Sequence, residues 1–367
     1  MDIRKIDSNF ADAKPTEDGF IYYNVKNAPF SLEGLPFYAE NSGAYYRLPL
    51  TITENEVNKG AIELGWHTSG VHVRFRSDSP EIMLRAKLHK SCDSNHMPRT
   101  GSAGFDSYFK APGKKMLYNA TVKPDPGTVD ICQLCGVNDT GKVCDWIINL
   151  PLYGGVTELE IGIKENFRLL APKAHKVEKP ILFYGSSITQ GGCASRPGNN
   201  YTAMLCRAVD APEINWGFSG SGRGEPGIAE LISNLDLAAF VMDYDHNAPN
   251  TEHLQNTHEQ FFRIVRSKNP ELPIILVSRC DFHNIRQAQV ENNYLRRDII
   301  YKTYTNAVES GDKNVWFVDG EKLFGSDLYD SCTVDGVHPN DLGFYRIYRG
   351  VLPTLKKALR AALLPKR

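Results

Sequence analysis

Two segments far apart in this 367-residue chain hold residue types suited to nucleophilic catalysis. Near the middle, Gly185-Ser186-Ser187-Ile188-Thr189-Gln190-Gly191 follows an apolar run at 181–184. Close to the C-terminus, Asp335-Gly336-Val337-His338-Pro339-Asn340 precedes a helical pattern. A serine hydroxyl is a weak nucleophile until a neighbouring base takes its proton, and an imidazole serves best as that base when a third group fixes its tautomer. An Asp three residues before a His on a turn offers that pair, with the carboxylate on one ring nitrogen and the other nitrogen facing outward. Taken singly, each segment is also readable as a turn or a helix cap.

Two further segments offer fixed N–H donors. They are Asn215-Trp216-Gly217-Phe218-Ser219-Gly220-Ser221-Gly222 and Asp243-Tyr244-Asp245-His246-Asn247-Ala248-Pro249, each beginning in an apolar run. Acyl transfer builds negative charge on a carbonyl oxygen, which needs donors a hydrogen bond away. A Gly backbone amide and an Asn side-chain amide both suit. His246 reads as a packed residue, because His338 has the Asp at the right offset. Cys193 has no basic neighbour in sequence to lower its pKa and reads as a buried thiol. Gly222-Arg223-Gly224-Glu225-Pro226-Gly227 matches G-x-G-x-x-G, but it follows the second apolar run of its region, and Glu225 and Pro226 would crowd a pyrophosphate. No cofactor is expected. Arg223 and Arg279 sit at strand ends, where an arginine contacts substrate or makes a salt bridge.

What must position these residues is a parallel sheet. Apolar runs at 181–184, 214–218, 238–244, 274–277 and 315–318 alternate with helical patterns at 200–209, 226–234, 251–268, 284–309 and 340–363. Such alternation predicts an α/β domain with helices on both faces of the sheet, and ligands gather outside the carboxyl ends of its strands. Residues 20–165 differ: short β-branched and aromatic runs, among them 44–52, 70–75, 81–88, 145–150 and 157–163, are broken by Gly, Pro, Asn and Asp. They predict a β-sandwich. A connector at 171–180 places the boundary near residue 175, giving domains 1–174 and 175–367. Tyr45, Tyr46, Trp66 and Phe75 fit either a sandwich core or a sugar-stacking face.

Composition narrows the function classes. Forty-two basic and forty-three acidic side chains leave a net charge of −1 with no basic cluster, which argues against nucleic acid as partner. No window of about 18 apolar residues can span a bilayer. The first twenty residues lack the apolar run of a signal peptide, so the sequence as it stands is expected in the cytoplasm, or exported if a leader was trimmed. Eight scattered cysteines form no disulfide framework, and the lone Cys132-x-x-Cys135 has no second pair at zinc-ligand spacing, so no metal is expected.

In their order along the chain and their places at strand ends, the four segments resemble the signature blocks of the SGNH, or GDSL-type, hydrolase superfamily. The resemblance implies a flavodoxin-like sheet and a triad of Ser187, His338 and Asp335. It also implies an oxyanion hole of Ser187, Gly220 and Asn247, aided by the positive end of the helix after the nucleophile. Two positions depart from the pattern: Ser186 replaces the usual Asp, and Asp245 a usual Gly. Gly104-Phe105-Asp106-Ser107-Tyr108 is similar to the G-x-D-L-Y motif of one branch, with Ser107 for Leu. That likeness implies a jelly-roll-like N-terminal domain whose loops near 95–108 border the active site. Asp106, Tyr108, Arg223, Asp245 and Arg279 become candidate substrate contacts. The implied activity is a serine esterase removing small acyl groups, acetyl or similar, from carbohydrates or another small-molecule ester. The alternatives are an acyltransferase to a hydroxyl acceptor and a carbohydrate-binding protein with a vestigial hydrolase domain. Oligomeric state is not legible.

Overall fold

A computed structural model describes residues 16–282 and 287–363. Residues 284–286, which open the helix expected over 284–309, and residues 1–15 of the N-terminal stretch lie outside the described residues. The chain divides into two compact units. The first holds the chain up to Arg47, Trp66–Ala174 and Ser195–Gly198; the second holds Leu48–Gly65, His175–Ala194 and the chain from Asn199 on. Two excursions, Leu48–Gly65 and Ser195–Gly198, thus lie across the boundary expected near 175. Of two short helices, α1 (Lys59–Leu64) belongs to the second unit and α2 (Arg99–Ser102) to the first.

The first unit contains β1 (Phe20–Asn24), β2 (Ser31–Glu33), β3 (His72–Ser77), β4 (Glu81–Lys87), β5 (Phe105–Lys110), β6 (Leu117–Val122), β7 (Asp130–Val137), β8 (Cys144–Asn149), β9 (Glu158–Lys164) and β10 (Leu169–Leu170). They form two antiparallel sheets, ordered β1-β9-β4-β7 and β10-β3-β8-β5-β6, with β2 added on β3. Alternate residues point inward. Val73, Phe75, Trp146 and Ile148 from one sheet and Ile82, Leu84, Ile161 and Ile163 from the other share one core. This is the expected sandwich; burying each such large side chain contributes about 1.5–3 kcal/mol. Tyr45, Tyr46 and Phe75 are buried, so they serve the core and offer no sugar-stacking face. The run 44–52 does not form the expected strand. Pro49 has no N–H to give a ladder, and the Ile52 amide turns back to the Pro49 carbonyl at 3.1 Å.

The second unit is built on β11 (Ile181–Gly185), β12 (Glu213–Gly217), β13 (Ala239–Asp243), β14 (Ile274–Val277) and β15 (Val315–Val318). All pair in parallel, in the order β12-β11-β13-β14-β15. This is the flavodoxin-like order, and the inner strands are buried throughout, as their unbroken apolar runs require. The helices are α3 (Ser187–Gln190), α4 (Tyr201–Val209), α5 (Pro226–Ser233), α6 (Thr251–Lys268), α7 (Gln287–Glu309) and α8 (Asp341–Leu363). In register, Gly185 pairs with Gly217 on one side and Asp243 on the other, so the loops after β11, β12 and β13 leave the sheet from one row. Strand order reverses there, which is where open α/β sheets form their ligand crevice. Among the described residues no helix is long and apolar enough to cross a membrane.

Candidate active site

Ser187 is the first residue of α3, entered through a sharp turn from β11. Ser186 caps that turn, its hydroxyl accepting the Ile188 amide at 3.1 Å. Gly185 allows the close approach: a Cβ there would lie 2.2 Å from the Asp243 carbonyl oxygen and 2.1 Å from Thr189 Oγ1. Ser187 keeps 8% of its surface, so it meets solvent while its backbone is fixed. The helix is a single turn of four residues, too short for much of a macrodipole. The helix-end contribution expected at the oxyanion therefore shrinks to the local amides.

His338 reaches this serine from the loop before α8. Its Nε2 lies 2.9 Å from Ser187 Oγ, and its Nδ1 lies 2.7 Å from Asp335 Oδ2. Because a carboxylate only accepts, Nδ1 carries the proton and Nε2 is left to accept from the serine. The other oxygen, Asp335 Oδ1, takes the His338 amide at 2.7 Å and the Val337 amide at 3.0 Å. Burial alone would raise the Asp335 carboxyl, but the His338 amide and ring and the Val337 amide outweigh it and hold it below its usual value. The Val334 amide closes the loop onto the His338 carbonyl at 2.9 Å, and Asn340 caps α8 through the Leu342 and Gly343 amides at 3.0 and 3.2 Å. Capping and imidazole placement thus coexist in one loop.

The loops after β12 and β13 are tied to the turn at Ser187. The Phe218 amide donates to the Gly185 carbonyl at 3.0 Å, and Asn247 Nδ2 donates to the Phe218 carbonyl at 2.9 Å. One amide hydrogen of Asn247 remains for another acceptor. Gly220 has φ +69°, a left-handed conformation that favours glycine, and open space lies where a Cβ would be. Arg223 is exposed; its Nε donates to the Gly220 carbonyl at 3.1 Å, which keeps its guanidinium beside that loop. Cys193 is not a rival nucleophile: burial first, and then the charge of Asp335, push its thiol up to about 11. The G-x-G-x-x-G glycines serve packing, since a Cβ at Gly222, Gly224 or Gly227 would strike the Gly185 carbonyl, the Tyr244 ring or the Glu56 carbonyl.

Residues 178–356 match the model of the GDSL-like lipase/acylhydrolase family, and residues 20–169 match the GxDLY N-terminus of SGNH-hydrolase-type esterases. The chain belongs to the GDSL-like lipase/acylhydrolase family. A GDSL-like protein of known structure from Bacteroides ovatus is 27% identical, with 93% of this chain and 98% of that one covered and a TM-score of 0.82. The fold alone is shared with a salicylyl-acyltransferase from a tetracycline biosynthetic pathway, at 19% identity, TM-score 0.76 and coverage of 96% and 100%. It is also shared with a family two carbohydrate esterase from Clostridium thermocellum solved with cellohexaose, at 14% identity, TM-score 0.59 and coverage of 80% and 94%. A comparison with curated proteins gives no match.

Within this GDSL-like chain the two departures have structural partners. Ser186 is the helix cap already described. Asp245 is fully buried, and its Oδ2 accepts the Arg279 amide at 3.1 Å. Arg279 in turn grips Asp281 with Nε at 2.7 Å and Nη2 at 2.6 Å, and His246 Nε2 meets Asp281 Oδ1 at 3.2 Å. Burial and Arg279 push the His246 imidazole down, but Asp245 and Asp281 outweigh them and raise it to about 9, so it is held charged. Burial lifts the Asp243 carboxyl to about 7 despite His246, with the Tyr201 hydroxyl at 3.0 Å. Asp245 and Arg279, expected as substrate contacts, are instead taken up in this cluster beneath the Asn247 turn. Asp243, Asp245 and His246 offer ligand atoms within 4.8 Å of one another. Of their oxygens, Asp245 Oδ2 already accepts the Arg279 amide and Asp243 Oδ2 the Tyr201 hydroxyl.

The G-F-D-S-Y strand also turns its polar residues to internal use. Asp106, fully buried in β5, accepts from Asn149 Nδ2 at 2.8 Å, Arg196 Nη1 at 2.9 Å and the Gly198 amide at 3.0 Å. Tyr108 OH also bonds Arg196, whose guanidinium lies 4.1 Å from the Tyr118 ring centroid. Asp106 and Tyr108 therefore capture the Ser195–Gly198 excursion, which leaves neither as a substrate contact. Ser107, the motif's departure, donates to the Cys135 carbonyl at 2.5 Å and accepts the Ala120 amide at 3.1 Å, bonds that a Leu could not make. Asp106→Ala strands the Arg196 charge and is expected to cost about 3 kcal/mol, read as a lower denaturant midpoint.

Sequence reasoning missed the residues that brace the Gly220 loop. Asn58, the N-cap of α1, accepts the Ala61 amide at 3.0 Å and donates to the Ser221 carbonyl at 2.7 Å and to Glu225. Glu225 also accepts from Tyr184 OH at 3.2 Å, and that hydroxyl accepts the Gly224 amide at 2.8 Å. An Asn before a helical turn is legible as a cap. Its partners 163 and 167 residues away are not.

Proposed function

We propose that the chain is a serine esterase that hydrolyses small acyl esters, acetyl or similar, on carbohydrates. The observation that carries the esterase reading is the continuous relay from Ser187 Oγ through His338 to Asp335, at 2.9 and 2.7 Å. In this mechanism His338 Nε2 takes the Ser187 proton as Oγ attacks the ester carbonyl. The amides of Ser187 and Gly220 and the carboxamide of Asn247 stabilise the oxyanion. Its collapse expels the alcohol, which leaves with the proton from His338, and an acyl-serine remains. Water, deprotonated by His338, attacks that acyl group and releases the acid and free Ser187. The carbohydrate part is supported by the carbohydrate esterases among structures of the same fold. The acyltransferase of that fold keeps a second outcome in view, transfer to a hydroxyl acceptor in place of water.

The test is incubation with acetylated oligosaccharides and analysis of both products. Free acetate is expected; acetate moved onto an added alcohol would favour the transferase. Neither product, together with no labelling by a fluorophosphonate, would leave only a binding protein. Asn247→Ala is expected to lower kcat about 10²–10³-fold with little change in KM, since this donor acts on charge that develops in the transition state.

A further inference from the structure

Asn247 ends a single 3-10 turn, Asp245–Asn247, which has no strand or long helix to fix it. What holds it is a side chain from α7. Arg296 donates through Nη1 to the Asp245 carbonyl at 2.6 Å and through Nη2 to the Ala248 carbonyl at 3.0 Å. One planar guanidinium therefore takes the carbonyls on both sides of Asn247. The same Asp245 carbonyl closes the turn by accepting the Ala248 amide at 3.2 Å. Arg296 is only 5% exposed, and its charge lies near Asp245 and Asp281 of the buried cluster. On the cluster side, the Asp245 carboxylate is fixed by the Arg279 amide. The Asn247 side chain then has one remaining tether, to the Phe218 carbonyl.

We propose that Arg296 is a positioning residue for acyl transfer: by clamping both flanks of the turn it aims the Asn247 carboxamide at the oxyanion, and it never touches substrate. This rests on the oxyanion role proposed for Asn247. Donors of that kind act through preorganisation, and a displacement of about 1 Å can cost about 10²-fold in rate. Only a rigid fork spans two carbonyls; a lysine ammonium is a single point on a flexible stem.

The test is a double-mutant cycle on an aryl acetate with Arg296→Lys, Asn247→Ala and the pair. Arg296→Lys is expected to lower kcat about tenfold with KM within about twofold. In the Asn247→Ala background the same change should alter kcat by less than about twofold, because the group it positions is gone. A tenfold loss in both backgrounds would show a general structural role and overturn the proposal. So would an unchanged kcat in Arg296→Lys beside a damaged Asn247→Ala. If Asn247→Ala itself is harmless, the oxyanion reading falls and the proposal with it, an outcome distinct from the other two. Thermal melting checks that each variant folds; if Arg296→Lys does not, Arg296→Gln, which can keep one of the two carbonyl bonds, enters the same cycle.

Discussion

Ser187→Ala is expected to lower hydrolysis of an aryl acetate by about 10⁴-fold or more and to abolish labelling by a fluorophosphonate. The size follows from the relay acting as one unit. Once Oγ is gone, His338 has no proton to take and no acyl-serine can form, so only binding and the N–H donors remain to help water attack directly. For the same reason the double variant Ser187→Ala, His338→Ala should be little slower than either single one. The substitution removes one oxygen from a residue with 8% of its surface exposed, and its backbone is held by the Ser186 cap and the packing of α3 on Gly185. The melting temperature should therefore stay close to that of the parent. Retention of full hydrolysis by a folded Ser187→Ala protein would refute the mechanism.

Asp335→Asn is expected to lower kcat by about 10⁴-fold, through tautomer choice and not through loss of geometry. The two carboxylate oxygens do different work here. Oδ1 is occupied by the His338 and Val337 amides at 2.7 and 3.0 Å, while Oδ2 faces the imidazole Nδ1 at 2.7 Å. In the Asn variant the carbonyl oxygen keeps the two amide bonds, because they need an acceptor. The NH₂ group must then point at Nδ1, which accepts and gives up its hydrogen. Nε2 becomes the protonated nitrogen and can no longer take a proton from Ser187. Turnover by Asp335→Asn within tenfold of the parent, in a protein that still melts normally, would contradict this account.

How far the sequence went depends on the range of the forces involved. The runs 274–277 and 315–318 and the helix 251–268 coincide with β14, β15 and α6, because a short apolar strand, fully buried in β14 and partly in the edge strand β15, and an amphipathic helix write their surroundings into local sequence pattern. The same reasoning failed at 44–52, where an apolar run buried among loops looks like a strand until Pro49 is weighed. It also failed for the charged residues. Asp106, Asp245 and Arg279 sit in motif positions or at strand ends, which marks them as candidates for ligand contact. The Arg196 partner of Asp106 and the Arg279 amide that Asp245 accepts lie 90 and 34 residues away and are brought there by tertiary folding, while Arg279 itself turns to Asp281 only two residues on. Arg296 shows this most clearly, as an arginine within a polar helix whose two acceptors lie 51 and 48 residues earlier.

The Leu48–Gly65 excursion separates the order of synthesis from the order of assembly. The segment leaves the ribosome well over a hundred residues before Ser221 and Glu225, yet its hydrogen bonds to them span 163 and 167 residues. It must wait with Asn58 unsatisfied until the sheet behind those residues exists, and loop closure over such a span is among the slower events in folding. The Gly220 loop should therefore be among the last parts of the molecule to set. The relay itself closes over 151 residues between Ser187 and His338, so it and the Gly220 loop should set late and together.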